Sequence, residues 1–366
     1  MKIGIVTFEW ANNYGALIQS HALQSVLMER GHQVEIIKYR PKIPASLLKR
    51  ILAKNPKKLI KKWLSLYHNY LFNKFRRQFL NRTSKTFRSI QSFELIKDRY
   101  DILISGSDQV WNPKWLDQIT DMHKIYLLSF LGNNTKIISY AASFGTGEID
   151  SFSPEWYKIF NTELSKFDAI SVREKSGIQL VEKLTKRKDA VSIVDPTLLL
   201  NKHKYSKIIS NRRIRKKYVF SYMLHGYDND ASSINSYIAN KQNLNIINCN
   251  AKDSFLRKNY KFPSPPKWLK LIKNARFVVT NSFHGVVFCL IFHKPFVVLS
   301  IQGEMGKMNS RIIDLLSAVG LKERIVNHDG LLMDKLVEKS INWEEIDTKV
   351  NSLRNEAFNF LESQMI

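Results

Sequence analysis

A chain of 366 residues, 44% of them hydrophobic, exceeds one typical core and is too apolar for wholesale disorder, so two domains are expected. Its two cysteines, Cys249 and Cys289, form no C-x-x-C pair, which excludes a disulfide framework and points to a reduced, cytoplasmic protein. The formal net charge of +25 is concentrated between Lys38 and Arg88, where no acidic residue occurs, but no module that reads nucleic acid accompanies it.

The run Lys2 to Thr7 is too short for a signal peptide and reads as a first strand. Ala16 to Arg30 reads as a helix with Leu17, Leu23, Val26 and Leu27 on its apolar side, ended by Gly31, and Val34 to Tyr39 as the next strand. A basic helical insertion follows from Pro41 to about Phe93. In it Lys49, Arg50, Lys54, Lys57, Lys58, Lys61 and Lys62 alternate with Leu47, Leu48, Ile51, Leu59, Ile60, Trp63, Leu64 and Leu66. That mixture fits either a basic amphipathic helix on an anionic membrane or a solvated insertion. The sheet resumes at Asp101 to Ser105 and again at Lys136 to Ala142. A helix over Pro154 to Phe167, a strand from Ala169 to Val172 and a helix over Glu174 to Leu184 come next. A last strand, Ser192 to Val194, runs into Asp195-Pro196-Thr197.

Asn201 to Lys217 is the expected linker. Beyond it a second α/β unit opens at Tyr218 to Tyr222. Helices near Asp230 to Lys241 and Pro266 to Asn274, strands at Leu244 to Asn248, Arg276 to Val279 and Pro295 to Leu299, and a helix over Asn309 to Val319 follow. No stretch approaches about twenty uninterrupted apolar residues, so no membrane-spanning helix is expected. Alternating strands and helices of this kind build parallel sheets flanked by helices. The expected fold class is therefore α/β, with two Rossmann-like domains facing a cleft. Residues 1–200 form the first, carrying the insertion 41–93; residues 201–330 form the second; 331–366 are a helical tail.

The polar turns after the strands carry the candidate site residues. Thr280-Asn281-Ser282-Phe283-His284-Gly285 lies between a strand and the apolar helix Val286 to Phe292. Ligands of open α/β sheets sit at such strand ends, and helix-terminal N–H groups there favour anions. His284 can both donate to an anion and supply a proton. In the first turn, Asn13 and Gly15 suit either a tight loop whose N–H groups face a ligand or simple turn chemistry. It is neither a dinucleotide fingerprint nor a phosphate-binding P-loop. Asp108 is either a base for an incoming hydroxyl or a helix cap, while Gln109 and Trp111 are positioned to grip a sugar. Arg173 ends a strand inside the sheet, where a guanidinium needs an anionic partner, either a ligand or Glu174 or Glu148. Arg311 opens a helix and either converges on the same anion or stays at the surface. The histidines show no metal-ligand spacing, so no metal is expected.

Six blocks in order carry a family resemblance. They are Asn12-Asn13-Tyr14-Gly15-Ala16 with Gln19 and Ala22-Leu23-Gln24; Asp101 to Asn112; Tyr140-Ala141-Ala142-Ser143-Phe144-Gly145; Ser171-Val172-Arg173-Glu174; Asp195-Pro196-Thr197; and Thr280 to Gly285. Over nearly its whole length the chain resembles the polysaccharide pyruvyl transferase family. The resemblance implies a fold similar to GT-B glycosyltransferases and transfer of pyruvate from phosphoenolpyruvate onto two hydroxyls of a sugar. The product is a cyclic ketal on cell-surface polysaccharide or its lipid-linked precursor, and phosphate is released without a cofactor. Arg173, His284 and Arg311 are the implied donor-site residues, meeting around one small dianion, with Lys307 able to replace Arg311. Asn13, Gly15, Ser143, Ser282 and Gly285 fall in the same blocks as substrate-binding candidates. The first domain is the expected acceptor side and the second the donor side. Peripheral contact with an anionic inner membrane face through 41–88 fits a lipid-linked acceptor. The alternatives are a GT-B glycosyltransferase with a nucleotide-sugar donor, or a non-catalytic glycan-binding component.

Overall fold

The structure is a computed structural model that describes residues 1–41, 56–131, 134–149, 152–210, 214, 216–224, 229–250, 262–301, 306, 309–326 and 333–365, with the backbone alone at 56–62, 229–230, 250 and 333. The chain divides into two units. One comprises Met1–Lys62, Arg76–Leu199 and Leu353–Ile366, the other Trp63–Phe75 and Leu200–Ser352.

In the first unit β1 (Lys2–Val6), β2 (Gln33–Ile36), β3 (Ile102–Ser105) and β4 (Lys136–Ser139) form a parallel sheet in the order β2-β1-β3-β4. Ile5 pairs with Ile36 on one side and Ile104 on the other. Isolated parallel bridges from Ile138 to Ala169 and from Ala142 to Val172 carry the edge on to β5 (Ser171–Val172), which pairs with β6 (Val191–Ser192). The strands read as continuous apolar runs because both faces of a parallel sheet are covered. Helix α1 (Tyr14–Glu29) is buried on more than the one side that its Leu and Val residues mark, since Ile18, Gln19, Ser20 and Gln24 are buried too. The chain moves from β1 to β2 on one side and from β3 to β4 on the other. The sheet's switch point therefore lies between the carboxyl ends of β1 and β3, which carry the Phe8–Asn13 and Gly106–Asn112 turns.

Within the basic insertion, helix α2 runs over Pro56–Phe79. Residues 42–55, including Lys49, Arg50 and Lys54, lie outside the described residues. Phe72, Phe75 and Arg76 are buried, so the helix's carboxyl half is packed rather than solvated all round.

The second unit has β7 (Tyr218–Met223), β8 (Asn245–Asn250), β9 (Phe277–Thr280), β10 (Phe296–Leu299) and β11 (Ile325–Val326), parallel in the order β11-β10-β9-β7-β8. Its switch point lies between β7 and β9. Helix α3 (Phe283–Phe292) is buried at every residue and α4 (Ser310–Val319) on one side. Part of the expected linker is itself a helix, Lys202–Ile208, capped by Asn201. Its Tyr205 is fully buried with its ring 4.9 Å from that of Phe288, so the segment joins a core rather than spanning solvent. The closing helix α5 (Trp343–Gln364) is counted with the second unit up to Ser352 and with the first from Leu353.

Candidate active site

In the first unit the β1–α1 turn is held by groups from far along the chain. Thr7 Oγ1 donates to Ser107 O at 3.0 Å and accepts from Gln19 Nε2 at 2.8 Å, tying the two sides of the switch point together. Asn13 is the N-cap of α1, its Oδ1 accepting from Ala16 N at 3.2 Å, and Gly15 is buried in the helix's first turn. The turn's main support is Arg76 of α2. Its Nε donates to Glu9 O at 2.7 Å, and its Nη2 donates to Trp10 O at 2.8 Å, Ala11 O at 2.7 Å and Asn12 Oδ1 at 3.1 Å. The buried Glu9 carboxylate lies 2.6 Å from Arg40, 3.6 Å from Arg82 and 3.7 Å from Arg76. Burial pushes the Arg76 guanidinium down to about 9, against the upward pull of Glu9.

Asp108 stands at the end of β3 with φ of 80°, beside Ala141 with φ of 47° at the end of β4. Left-handed conformations at non-glycine residues cost energy and are kept where the surroundings hold them. Here Val110 N and Ser143 N both donate to Asp108 O, at 2.8 and 3.0 Å. Arg173 reaches Asp195 Oδ2 at 3.1 Å, Asp108 Oδ1 at 3.6 Å and Glu174 Oε2 at 4.0 Å. The sequence alternatives for its partner were a ligand, Glu174 or Glu148; the closest carboxylate is Asp195. Arg173, Glu174 and Asp195 have side chains 0–1% exposed, whereas Asp108 is 15% exposed and is the carboxylate of this group that solvent reaches. Arg173 is thus ion-paired with the buried Asp195, with Asp108 at the edge of the same group. Ser143 donates from Oγ to Glu174 Oε1 at 2.7 Å and so supports the same network.

Two expected sugar contacts fare differently. Trp111 is fully buried, its ring 5.3 Å from Phe144 and 5.6 Å from Phe167; it is a core residue, not a stacking platform. Gln109 is nearly buried and accepts at Oε1 from Asn112 Nδ2 at 2.6 Å and from Trp115 Nε1 at 3.0 Å. Half-buried Trp115 is the aromatic that borders this polar cluster, four residues beyond Trp111. Gly145, with φ of 72°, is required here, because a Cβ would meet Asn112 and come within 2.6 Å of Gln109 Oε1.

In the second unit the Thr280–Gly285 turn is built by its own side chains. Thr280 Oγ1 donates to Tyr222 O at 2.7 Å and accepts from Ser282 N at 3.1 Å, and Asn281 Oδ1 accepts from Leu224 N at 2.7 Å, bridging the switch point. Ser282 is the N-cap of α3, accepting from Gly285 N at 3.3 Å. Any side chain at Gly285 would put its Cβ 2.5 Å from Thr280 Oγ1. His284 and Arg311 are each 7% exposed and share Phe283 as a neighbour. The imidazole lies edge-on with its centroid 5.3 Å from the Phe283 ring, and the Arg311 guanidinium sits 6.0 Å from that ring's centre. Asn309 exchanges two hydrogen bonds with the backbone of Ile301, at 2.9 and 3.1 Å, which fixes the approach to α4 and hence Arg311. Lys307 lies outside the described residues. The structure thus groups Asp108 with Arg173 in one unit and His284 with Arg311 in the other. Among the described residues no group of three or more His, Cys, Asp or Glu is placed to hold a metal ion.

A family model described as polysaccharide pyruvyl transferase matches residues 13–303. No curated protein matches the chain. Among solved structures, UDP-N-acetylglucosamine 2-epimerase from Rickettsia bellii is similar with a TM-score of 0.56 at 12% identity, covering 99% of this chain and 96% of that one. The Methanocaldococcus jannaschii UDP-GlcNAc 2-epimerase gives 0.53 at 13% identity, covering 93% of each chain. The S. aureus MnaA–UDP complex gives 0.55 at 11% identity, covering 95% of this chain and 90% of that one. At such identities the likeness is one of fold, the GT-B arrangement of parallel sheets flanked by helices.

Proposed function

This chain belongs to the polysaccharide pyruvyl transferase family and is a transferase, and from that premise we propose that it moves pyruvate from phosphoenolpyruvate onto a sugar of a cell-surface polysaccharide or its lipid-linked precursor. The observation that supports this reading most is the pairing of His284 and Arg311 about Phe283, at a strand end that opens onto the amino terminus of α3. A carboxylate and a phosphate on one small donor suit a cation, an imidazole and helix N–H groups together.

In the proposed reaction His284 acts as the acid and protonates the donor's methylene carbon, which becomes the methyl group of the ketal. The central carbon becomes electrophilic and bonds to the oxygen of a first sugar hydroxyl, whose proton Asp108 takes. A second hydroxyl then bonds to the same carbon as the bond to the phosphate oxygen breaks, its proton leaving with the phosphate, and the ketal closes. Arg173, 3.6 Å from its carboxylate, holds Asp108 in place. Phosphoenolpyruvate is the donor substrate and no further cofactor is called for. The enzyme works at the inner face of the cell membrane, with the segment 41–88 in peripheral contact with anionic lipid. No helix of the described residues is long and apolar enough to cross a membrane.

Phosphate release from phosphoenolpyruvate in the presence of nitrophenyl or lipid-linked sugars tests the reading directly. His284→Ala is expected to lower turnover by about 10²-fold or more, the usual contribution of a general acid. Release of a nucleotide diphosphate from a sugar nucleotide, with none of phosphate from phosphoenolpyruvate, would replace this reading by glycosyl transfer.

A further inference from the structure

We propose that the outer face of α2 is the surface that docks on an anionic lipid bilayer, with the helix lying in the plane of the interface. This rests on the membrane contact proposed above and names the residues that make it. Trp63, Leu66, Tyr67 and Tyr70 are 67%, 51%, 57% and 53% exposed. Their spacing puts them on one side of the helix. Phe72, Phe75 and Arg76 lie on the opposite side and are buried, so among the described side chains, Trp63 onward, the helix is anchored by one face and exposed on the other. Large apolar side chains left together on a surface mark an interaction site.

The composition of the face selects the partner. Trp and Tyr combine an apolar body with a polar tip and concentrate at membrane–water interfaces. The same face continues into exposed Lys74 and Arg77. Lys38 to Arg88 contains sixteen Lys and Arg and no Asp or Glu; Arg40, Arg76 and Arg82 turn to Glu9, and the remaining excess of positive charge complements anionic headgroups. That density of like charge opposes a second copy of this chain as the occupant.

Full-length protein sedimented with phosphatidylglycerol-containing and purely phosphatidylcholine vesicles tests this. Binding is expected to the anionic vesicles only and to weaken as salt rises from about 0.05 M to about 0.5 M. The variant Trp63→Ser, Tyr67→Ser, Tyr70→Ser should lose at least about tenfold in partitioning, while phosphate release with a soluble nitrophenyl sugar stays unchanged. Brominated lipid should quench tryptophan emission of the wild type but far less that of Trp63→Phe. Equal vesicle binding by the triple variant, or none by the wild type, overturns the proposal. So does a wild-type dimer that the triple variant dissolves, or oligonucleotide binding lost in that variant without any vesicle binding. Sedimentation needs no turnover, so its failure is separate from failure of pyruvyl transfer.

Discussion

Asp108 combines a backbone at φ of 80° with a carboxylate 3.6 Å from Arg173, so backbone and charge have to be tested apart. Asparagine tolerates the left-handed region and keeps the side chain's shape, so Asp108→Asn removes the charge alone. Turnover is expected to fall by about 10²-fold or more, with thermal stability nearly unchanged. Asp108→Ala adds about 1–2 kcal/mol of backbone cost to the same kinetic loss. Full turnover in Asp108→Asn would reduce the residue to a turn-former. Arg173 makes the complementary case. Its removal strands the buried Asp195 and Glu174 carboxylates, so Arg173→Ala should lose about 3–5 kcal/mol in denaturant unfolding. A variant that unfolds like the wild type and only raises KM for phosphoenolpyruvate would assign Arg173 to the donor instead.

One side chain of α2, Arg76, holds the β1–α1 turn through main-chain carbonyls more than sixty residues upstream. Arg76→Ala would leave the carbonyls of Glu9, Trp10 and Ala11 without that donor and Glu9 with less positive charge nearby. Arg76→Lys should rescue little, because one ammonium cannot span acceptors that a planar fork reaches together. Both variants are expected to lower stability by about 3–5 kcal/mol, read by thermal melting. If Arg76→Lys melts with the wild type, the fork geometry is not what holds the turn. Elements of this fold are legible where the local pattern suffices. Ile102–Ser105 and Phe277–Thr280 announce buried parallel strands as short apolar runs closed by polar turns. Asn13 and Ser282, singled out in the sequence as loop and substrate-binding candidates, are in the structure the caps of α1 and α3. Arg76 is not legible, because a carbonyl acceptor leaves no mark in a sequence. Trp111 misleads for a related reason: its neighbours Phe144 and Phe167 come from elements that only the tertiary fold brings to it. Trp115 lies just beyond the block that carries the resemblance, and only its bond to Gln109 singles it out.

At the scale of the whole molecule each unit has its own buried apolar cluster, and the chain visits the first unit a final time at its end. Periodicity reveals a helical tail but not what it covers. Ala357 and Leu361 are fully buried, Arg354 Nε donates to Leu198 O at 2.7 Å, Lys136 Nζ donates to Gln364 O at 2.8 Å, and the Arg30 guanidinium lies 4.1 Å from the centre of the Phe358 ring. These partners come from three well-separated stretches, so the last turns of α5 close the first unit by contacts of long sequence separation. Leu361→Ala should therefore destabilise that unit by about 2–5 kcal/mol, through lost burial and the cavity left behind. Glu362 is a control from the same helical turn. Its pairing with Arg30 spans 3.5 Å between side chains that are 28% and 62% exposed, and such pairs contribute almost nothing. Glu362→Gln should leave the melting curve where it was. Calorimetry of the full chain separates the cases, because two cores allow two transitions and only the one belonging to the first unit should move in Leu361→Ala. A Leu361→Ala protein that melts like the wild type would mean that the first unit is complete without the end of α5.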